Sequence, residues 1–350
     1  MTALTHLRVL ELTHMVSGPY AGMLLADVGA ETIKIESPDG GDMTRGLVAD
    51  DPDVSVAGFG PYFLALNRNK KSLTLNLKSD AGRQVFYDLV RVSDIVLSNY
   101  RAGVATRLGV DHGTLQEINP RIITCSITGF GETGPATDRP SYDMVAQALS
   151  GVMSLTGAPD GPPVRAGIPI ADLSAAMMAV IGILAAVAAR EQSGRGQHVD
   201  ISMLDVLVSM LTYYAPIALR SGVAPERLGS GHFHHVPYEV YPCRDGHLIL
   251  GVVTDEFWRR LVEALPIPEL DTDENRWREG RLKNRPVIDA HLTALFQTDT
   301  RAAWLARLEG AGVPVEPAGV KSAKHVEAAF DHLDLHPELI GSLSDAIRTA

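Results

Sequence analysis

Cysteine is scarce in this chain. Two in 350 residues, Cys125 and Cys243, supply neither a disulfide framework nor a metal cluster, so a reducing, cytoplasmic setting is expected. Basic side chains are outnumbered as well: 31 Lys and Arg against 42 Asp and Glu give a formal net charge of −11. That balance argues against a nucleic-acid partner and against an anionic membrane surface. An anionic small molecule needs only a local basic pocket and stays open. No GxGxxG follows the first strand-like run, and neither GxxxxGK[ST] nor G-x-S-x-G occurs. An ordinary dinucleotide site, a P-loop and a hydrolase nucleophile elbow are therefore not indicated. No secretory leader is expected ahead of the strand-like Leu7–Leu12. The longest uncharged run, 173–189, is shorter than the ~20 apolar residues of a membrane helix, so no membrane association is expected. His232, His234 and His235 lack the Cys/His/carboxylate pattern of a zinc site. No metal is expected there, and the neighbouring Gly229 and Gly231 suggest a mobile loop.

With 45% hydrophobic side chains, the chain can bury one large core or two moderate ones. Its first part alternates in character: strand-like runs at 7–12, 31–36, 71–77, 94–99 and 121–127, with helical spacing at 18–28 and 80–92. Such alternation implies an α/β fold with a parallel, doubly wound sheet and ligands near the carboxyl ends of its strands. Helices are expected at 143–155, 173–191 and 202–221. A Gly- and His-rich stretch, 225–237, marks a division. Strands at 238–241 and 247–253 around an Asp245-Gly246 turn, helices at 256–264, 286–296 and 302–311, and a strand at 313–317 then imply a smaller α+β domain. The expected organisation is a large domain over 1–224, a small one over 225–325 and a short tail over 326–350.

Several side chains could carry chemistry. Gly18-Pro-Tyr-Ala-Gly22, at a strand-to-helix turn, either lets backbone N–H groups approach an anion or simply needs small residues. Arg45, Lys70, Lys71, Lys78, Arg101 and Arg107 fall near strand ends or in the following loops, where together they could form a phosphate-binding mouth. Asp172 directly precedes the uncharged run and admits two readings. It could be a helix N-cap, accepting hydrogen bonds from unpaired backbone N–H groups. It could instead be a carboxylate nucleophile in a dry cleft. With Asp143 it is read as the acid with the most apolar surroundings. At an ordinary pKa of ~3.9 such a carboxylate is ionised at neutral pH and needs no general base, histidine, metal or redox cofactor.

A set of motifs extends this reading. They are Val9-Leu-Glu-Leu-Thr-His-Met-Val-Ser-Gly-Pro19, Gly29-Ala-Glu-Thr-Ile-Lys-Ile-Glu36 with Gly41-Asp-Met-Thr-Arg45, and the Asn67–Lys78 run. Gly129-Phe-Gly-Glu-Thr-Gly-Pro135, Arg139–Gln147, Gly194–Met203, Pro237–Tyr241 and Gly312–Val315 follow. In this order the chain resembles the family III CoA-transferases, which include formyl-CoA:oxalate and carnitine CoA-transferases and the related α-methylacyl-CoA racemase. The resemblance implies a Rossmann-like large domain plus a small domain, in an interlocked homodimer. It places the nucleophile at Asp172 and CoA contacts at Met15, Leu75, Lys78, Asn99, Tyr100, Arg107, Tyr142 and Met203. A shielding loop falls on Gly229–His235. CoA and acyl-CoA enter as substrates, with no permanently bound cofactor.

The implied reaction passes CoA from an acyl-CoA donor to a carboxylic acid acceptor through an aspartyl anhydride and an aspartyl-CoA thioester. The alternatives are a racemase-like isomerase or a non-catalytic acyl-CoA-binding homologue. Tyr142 stands where racemases carry a histidine, and a phenol of pKa ~10 is a poor base. Val16 and Ser37 replace a glutamine and an arginine of the formyl-CoA enzyme. The stretch Phe330–His336 stands where the family usually returns to its large domain, which bears on dimer closure.

Overall fold

A computed structural model describes residues 3–319. The described residues hold nine strands: β1 Arg8–Leu12, β2 Glu31–Glu36, β3 Lys70–Thr74, β4 Ile95–Ser98, β5 Ile123–Thr128, β6 His198–Ser202, β7 Tyr238–Cys243, β8 Gly246–Gly251 and β9 Val315–Pro317. Helices are α1 Ser17–Asp27, α2 Pro61–Asn67, α3 Asp80–Val90, α4 Val104–Leu108, α5 His112–Ile118, α6 Asp143–Ser150, α7 Val152–Leu155, α8 Ile170–Ser193, α9 Met203–Met210 and α10 Tyr214–Ser221. After them come α11 Asp255–Ala264, α12 Arg278–Lys283, α13 Arg285–Phe296 and α14 Arg301–Gly310.

The described chain forms two compact units, 3–153 with 165–224, and 154–164 with 225–319. The first domain was expected to run unbroken over 1–224, but residues 154–164 join the second unit. Hydrogen bonds account for this: Gly229 N donates to Gly157 O at 3.1 Å, and the Arg227 guanidinium donates to Ala158 O and Gly161 O at 3.2 and 2.7 Å. Residues 320–325 and the tail 326–350, with the Phe330–His336 stretch, lie outside the described residues.

In the first unit, six parallel strands run in the order β3-β2-β1-β4-β5-β6, the arrangement of doubly wound nucleotide-binding sheets. Period-two alternation sends Val9, Ile95, Leu97, Ile123, Cys125 and Ile127 to one face, against α1 and α8. Leu10, Leu12 and Val96 go to the other, against Phe86 and Val90 of α3 and Leu115 of α5. The α8 stripe Ala171, Ala175, Ala179, Ile183 and Ala186 is fully buried, and its small side chains let the helix lie close. At 24 residues, α8 is long and apolar enough to cross a membrane by length and composition, which corrects the length argument made on 173–189. Its buried face packs on α1, α9, β5 and β6, as a sheet-covering helix does.

Other departures have local causes. β6 was missed because His198-Val-Asp-Ile-Ser202 carries only Val199 and Ile201 as apolar alternates on an edge strand. The single helix expected at 202–221 is two, bent by 78° at a break where Thr212 has φ +47°. Pro216 has no N–H to continue an α-helix back to Thr212. Likewise, 143–155 divides at Gly151, φ +90°. In the second unit the hairpin turn is Arg244-Asp245, one residue earlier than expected, because Gly246 pairs with Cys243 in the ladder. That three-stranded antiparallel sheet, β7-β8-β9, closes over Trp258, Leu261, Ile288, Leu292, Phe296 and Trp304.

Charge is buried inside the first unit. Lys34 lies opposite Glu11 in register, and its Nζ is 3.0 Å from Glu11 Oε1, 3.0 Å from Asp42 Oδ2 and 2.8 Å from Thr13 O. Lys70 Nζ reaches Glu11 Oε2 at 2.8 Å, Pro19 O at 2.8 Å and Asn67 Oδ1 at 2.9 Å. Glu11 and Lys34 are 0% and 1% exposed, and Glu11, Asp42 and Glu36 are buried acids surrounded by charged partners. Burial pushes Lys70 down to about 8, with Glu11 opposing. Removing one partner of such a group leaves uncompensated buried charge. Lys34→Ala is expected to lower unfolding free energy by about 3–5 kcal/mol in urea denaturation, and a loss below about 1 kcal/mol would contradict the structural role given to the cluster.

Candidate active site

The carboxyl ends of β1, β4, β5 and β6 converge on one cavity of about 340 Å³. It opens at the switch point of the sheet, where β1 has β2 on one side and β4 on the other. The β1–α1 loop contributes His14–Ser17, the end of β4 Asn99–Ala102, the segment after β5 Gly129, Thr137, Arg139, Ser141 and Tyr142, and the helix starts Asp172 and Met203.

Asp172 is the third residue of α8, whose N-cap is Pro169. The cap reading of Asp172 is therefore corrected. Asp143 of α6 does that work from outside: its Oδ1 accepts Ala171 N at 2.8 Å and Asp172 N at 3.4 Å. Gln147, fully buried one turn later, donates to Asp143 Oδ2 at 2.6 Å, and its Oε1 accepts Ala166 N at 2.9 Å. The Asp172 carboxylate is thus spared for the cavity. Burial first, and then the charge of Asp143, push its pKa up to about 7, while a hydrogen bond from Ser17 opposes them. The expectation of an ordinary, fully ionised carboxylate is corrected accordingly: near neutral pH Asp172 is divided between its two forms.

Other expected site residues divide among three recesses. Met15, Asn99, Tyr100, Tyr142 and Met203 line the Asp172 cavity. Leu75 and Lys78 line a smaller recess of about 110 Å³ with Ser37, and Tyr100 walls both. Arg107 lies instead in a hollow of about 350 Å³ with His112, His198 and Glu132, which shares Ala102 and Thr137 with the first. The phosphate-binding mouth loses half of its expected members. Arg45 pairs with Glu36, Lys70 is buried on Glu11, and Lys71 pairs with Glu31. Lys70 and Lys71 in fact open β3 rather than follow it. Lys78, Arg101 and Arg107 are exposed and carry no ion pair among the described residues. The sequence reading passed over Arg139, which stacks on Phe130 at 5.1 Å and lines the cavity.

Gly18 and Gly22 answer to close packing. A Cβ at Gly18 would lie 2.4 Å from Thr13 Cβ, and one at Gly22 1.9 Å from Glu11 Oε2. The Gly229–His235 stretch is tied down in the second unit: Gly231 N donates to Leu228 O at 2.8 Å, Arg285 reaches His232 O, and His232 stacks on Phe233 at 4.8 Å. Among the described residues, no three His, Cys, Asp or Glu side chains are grouped to hold a metal ion.

Comparison with known proteins bears on this geometry. Residues 4–335 match the CoA-transferase family III. Over 314 residues the chain is 39% identical to an acetyl-CoA:oxalate CoA-transferase of Acetobacter aceti, covering 89% of this chain and 79% of that one. It is 36% identical to the mouse succinyl-CoA:glutarate CoA-transferase over 351 residues, 98% and 79% of the two chains. A crystal structure of a CAIB/BAIF family protein from Brucella suis superposes with a TM-score of 0.83 at 36% identity, covering 93% of this chain and 86% of that one. The chain belongs to the CoA-transferase family III.

Proposed function

We propose that this enzyme moves CoA between two carboxylic acids with Asp172 as nucleophile. One observation carries the reading: Asp143 takes over the capping of α8 and leaves the Asp172 carboxylate at a cavity of the sheet's switch point. The ionised carboxylate attacks the thioester carbonyl, forming an aspartyl anhydride and expelling CoA thiolate. Thiolate then attacks the Asp172 carbonyl, giving an aspartyl-CoA thioester and the free donor acid. The acceptor carboxylate attacks that thioester, and thiolate finally attacks the acceptor's carbonyl, which regenerates Asp172. Met15, Asn99, Tyr100, Tyr142 and Met203 are assigned to the thiol end of CoA, and Leu75, Lys78 and Arg107 to its more distant parts. Relatives named for oxalate, glutarate and mesaconate support a dicarboxylic acid as one substrate. Arg139 would face its second carboxylate.

A second copy of the chain is proposed to cover the outer face of α8. Met177, Met178, Ile181 and Leu184 are 45%, 38%, 59% and 39% exposed there, an apolar stripe that a lone surface helix rarely shows. Light scattering is expected to give a dimer at micromolar concentration, and Ile181→Glu is expected to weaken it. A monomeric wild-type protein would refute the assignment.

Asp172→Ala should abolish transfer while leaving CoA affinity and the thermal midpoint within the wild-type range. Mass spectrometry of wild type with succinyl-CoA and no acceptor should find an adduct on the Asp172 peptide. Activity retained in the variant would sink the nucleophile.

Because the anion is the attacking form and its pKa is near 7, kcat/KM is expected to rise through an acid limb with a midpoint of about 7. A limb near 4 would contradict the raised value. The same shift has a stability consequence. Holding the anion costs more as pH climbs from the unfolded value near 4 through about 7. Asp172→Asn is therefore expected to raise Tm more at pH 8 than at pH 4.

A further inference from the structure

Asn99 makes two short hydrogen bonds to the backbone of His14. Its Oδ1 accepts His14 N at 3.0 Å, and its Nδ2 donates to His14 O at 2.7 Å. Because a backbone N–H can only donate and a carbonyl can only accept, this pair settles which end of the amide is which. The same Nδ2 lies 3.4 Å from Ser17 Oγ, so Asn99 is the donor there and Ser17 the acceptor. The hydroxyl's own proton must then point elsewhere. Ser17 is 5% exposed and lines the same cavity as Asp172, so its proton is available to the carboxyl group there. Gly18 permits the approach, since a Cβ there would meet Asn99 Cγ at 3.0 Å. The direction therefore runs one way, from Asn99 through Ser17 to Asp172.

We propose that Ser17 is a catalytic hydrogen-bond donor to the Asp172 carboxyl group, and that Asn99 is the positioning residue that aims it. This rests on the transferase reading given above. When CoA thiolate attacks the carbonyl carbon of the Asp172 anhydride, a C–S bond forms and the carbonyl π electrons move onto the Asp172 oxygen. Collapse restores that carbonyl and breaks the C–O bond, releasing the donor acid as a carboxylate. Ser17 donates to the oxygen while it is negative and keeps its proton throughout. The acceptor's attack on the thioester passes through the same charge, with thiolate leaving instead. A pre-aimed donor in a desolvated cavity stabilises that charge more than the neutral carbonyl. Asn99 spends both ends of its amide on His14 and Ser17, so its side chain clamps the loop while it walls the cavity.

The test compares wild type, Ser17→Ala and Ser17→Cys, with succinyl-CoA plus glutarate and acetyl-CoA plus oxalate as substrate pairs. CoA affinity is measured by calorimetry, and the Asp172 carboxyl is titrated in the free protein by infrared difference against Asp172→Asn. Ser17→Ala is expected to lower kcat about 10²-fold, the effect of losing one oxyanion donor. CoA affinity should hold, and the Asp172 midpoint should rise, since a donor to the anion is gone. Ser17→Cys, close in size with a weaker donor, should fall between. A Ser17→Ala protein with wild-type kcat and midpoint overturns the proposal. So does a fall in kcat that comes with weakened CoA binding and an unmoved midpoint, because that pattern marks a merely structural role. If wild type transfers CoA in neither pair, the transferase reading fails for those acids. The infrared midpoint then decides the Ser17 contact alone, and an unmoved value overturns it.

Discussion

Two backbone hydrogen bonds hold the site in its working form, those from Ala171 N and Asp172 N to the Asp143 carboxylate. A helix start leaves amide donors that something must satisfy. Asp172, sitting in the first turn, would be the nearest side chain able to fold back onto them. Asp143 meets that need from a neighbouring helix, and Gln147 in turn fixes Asp143. The arrangement has an electrostatic consequence. A carboxylate brought close enough to cap α8 is close enough to resist ionisation of Asp172, and it adds to the desolvation that raises the pKa of that acid to about 7. One group thus both frees the Asp172 carboxylate and tunes it.

Behind the cavity, the β1–α1 loop is held on two sides. Its inner side rests on the ion cluster: Lys34 binds Thr13 O, and Thr13 Oγ1 donates to Glu11 Oε1 at 2.6 Å. Its outer side is clasped by Asn99. Between them Met15 sits at φ +65°, a conformation that costs a residue with a Cβ about 1–3 kcal/mol and persists only when its surroundings enforce it. Burying Lys34, Lys70, Glu11 and Asp42 beneath this loop is not the cheapest way to fill a core, since apolar side chains of similar size often serve stability as well. What the cluster supplies is a set of directional contacts to the backbone that lines the site.

Much of the fold was legible in the residues. β2 runs over the very residues that alternate, Glu31–Glu36, and α11, α13 and α14 begin within a residue of where their spacing placed them. Failures came where tertiary context outweighs local pattern. β6 is half polar and becomes a strand only by lying against β5. A cap reading stayed open beside the nucleophile reading of Asp172 because the residue that caps α8 lies 29 positions earlier in the chain. Lys34 drew no notice within its strand, since nothing near it in sequence announces that Glu11 and Asp42 will close around it. Arg107 was grouped with the other contacts by family likeness, and only the arrangement of α4 and α5 shows that it lines a separate hollow. Ser17 lay within a quoted motif without drawing notice, because its meaning depends on Asn99, 82 residues away.

The central claim is that the acyl group rests on the Asp172 carboxylate in each turnover, and oxygen labelling tests it directly. When an acceptor carboxylate attacks the Asp172 thioester, the bridging oxygen of the new anhydride comes from the acceptor. Thiolate attack on the acceptor's carbonyl then leaves that oxygen on Asp172. The enzyme would be incubated with a working acyl-CoA donor and an acceptor acid labelled in its carboxyl group with heavy oxygen, then digested and examined by mass spectrometry. The account predicts one heavy oxygen in the peptide carrying Asp172 after the first turnover and a second as turnover continues, since the two carboxylate oxygens are equivalent. Continued transfer of CoA with no label in that peptide would contradict it.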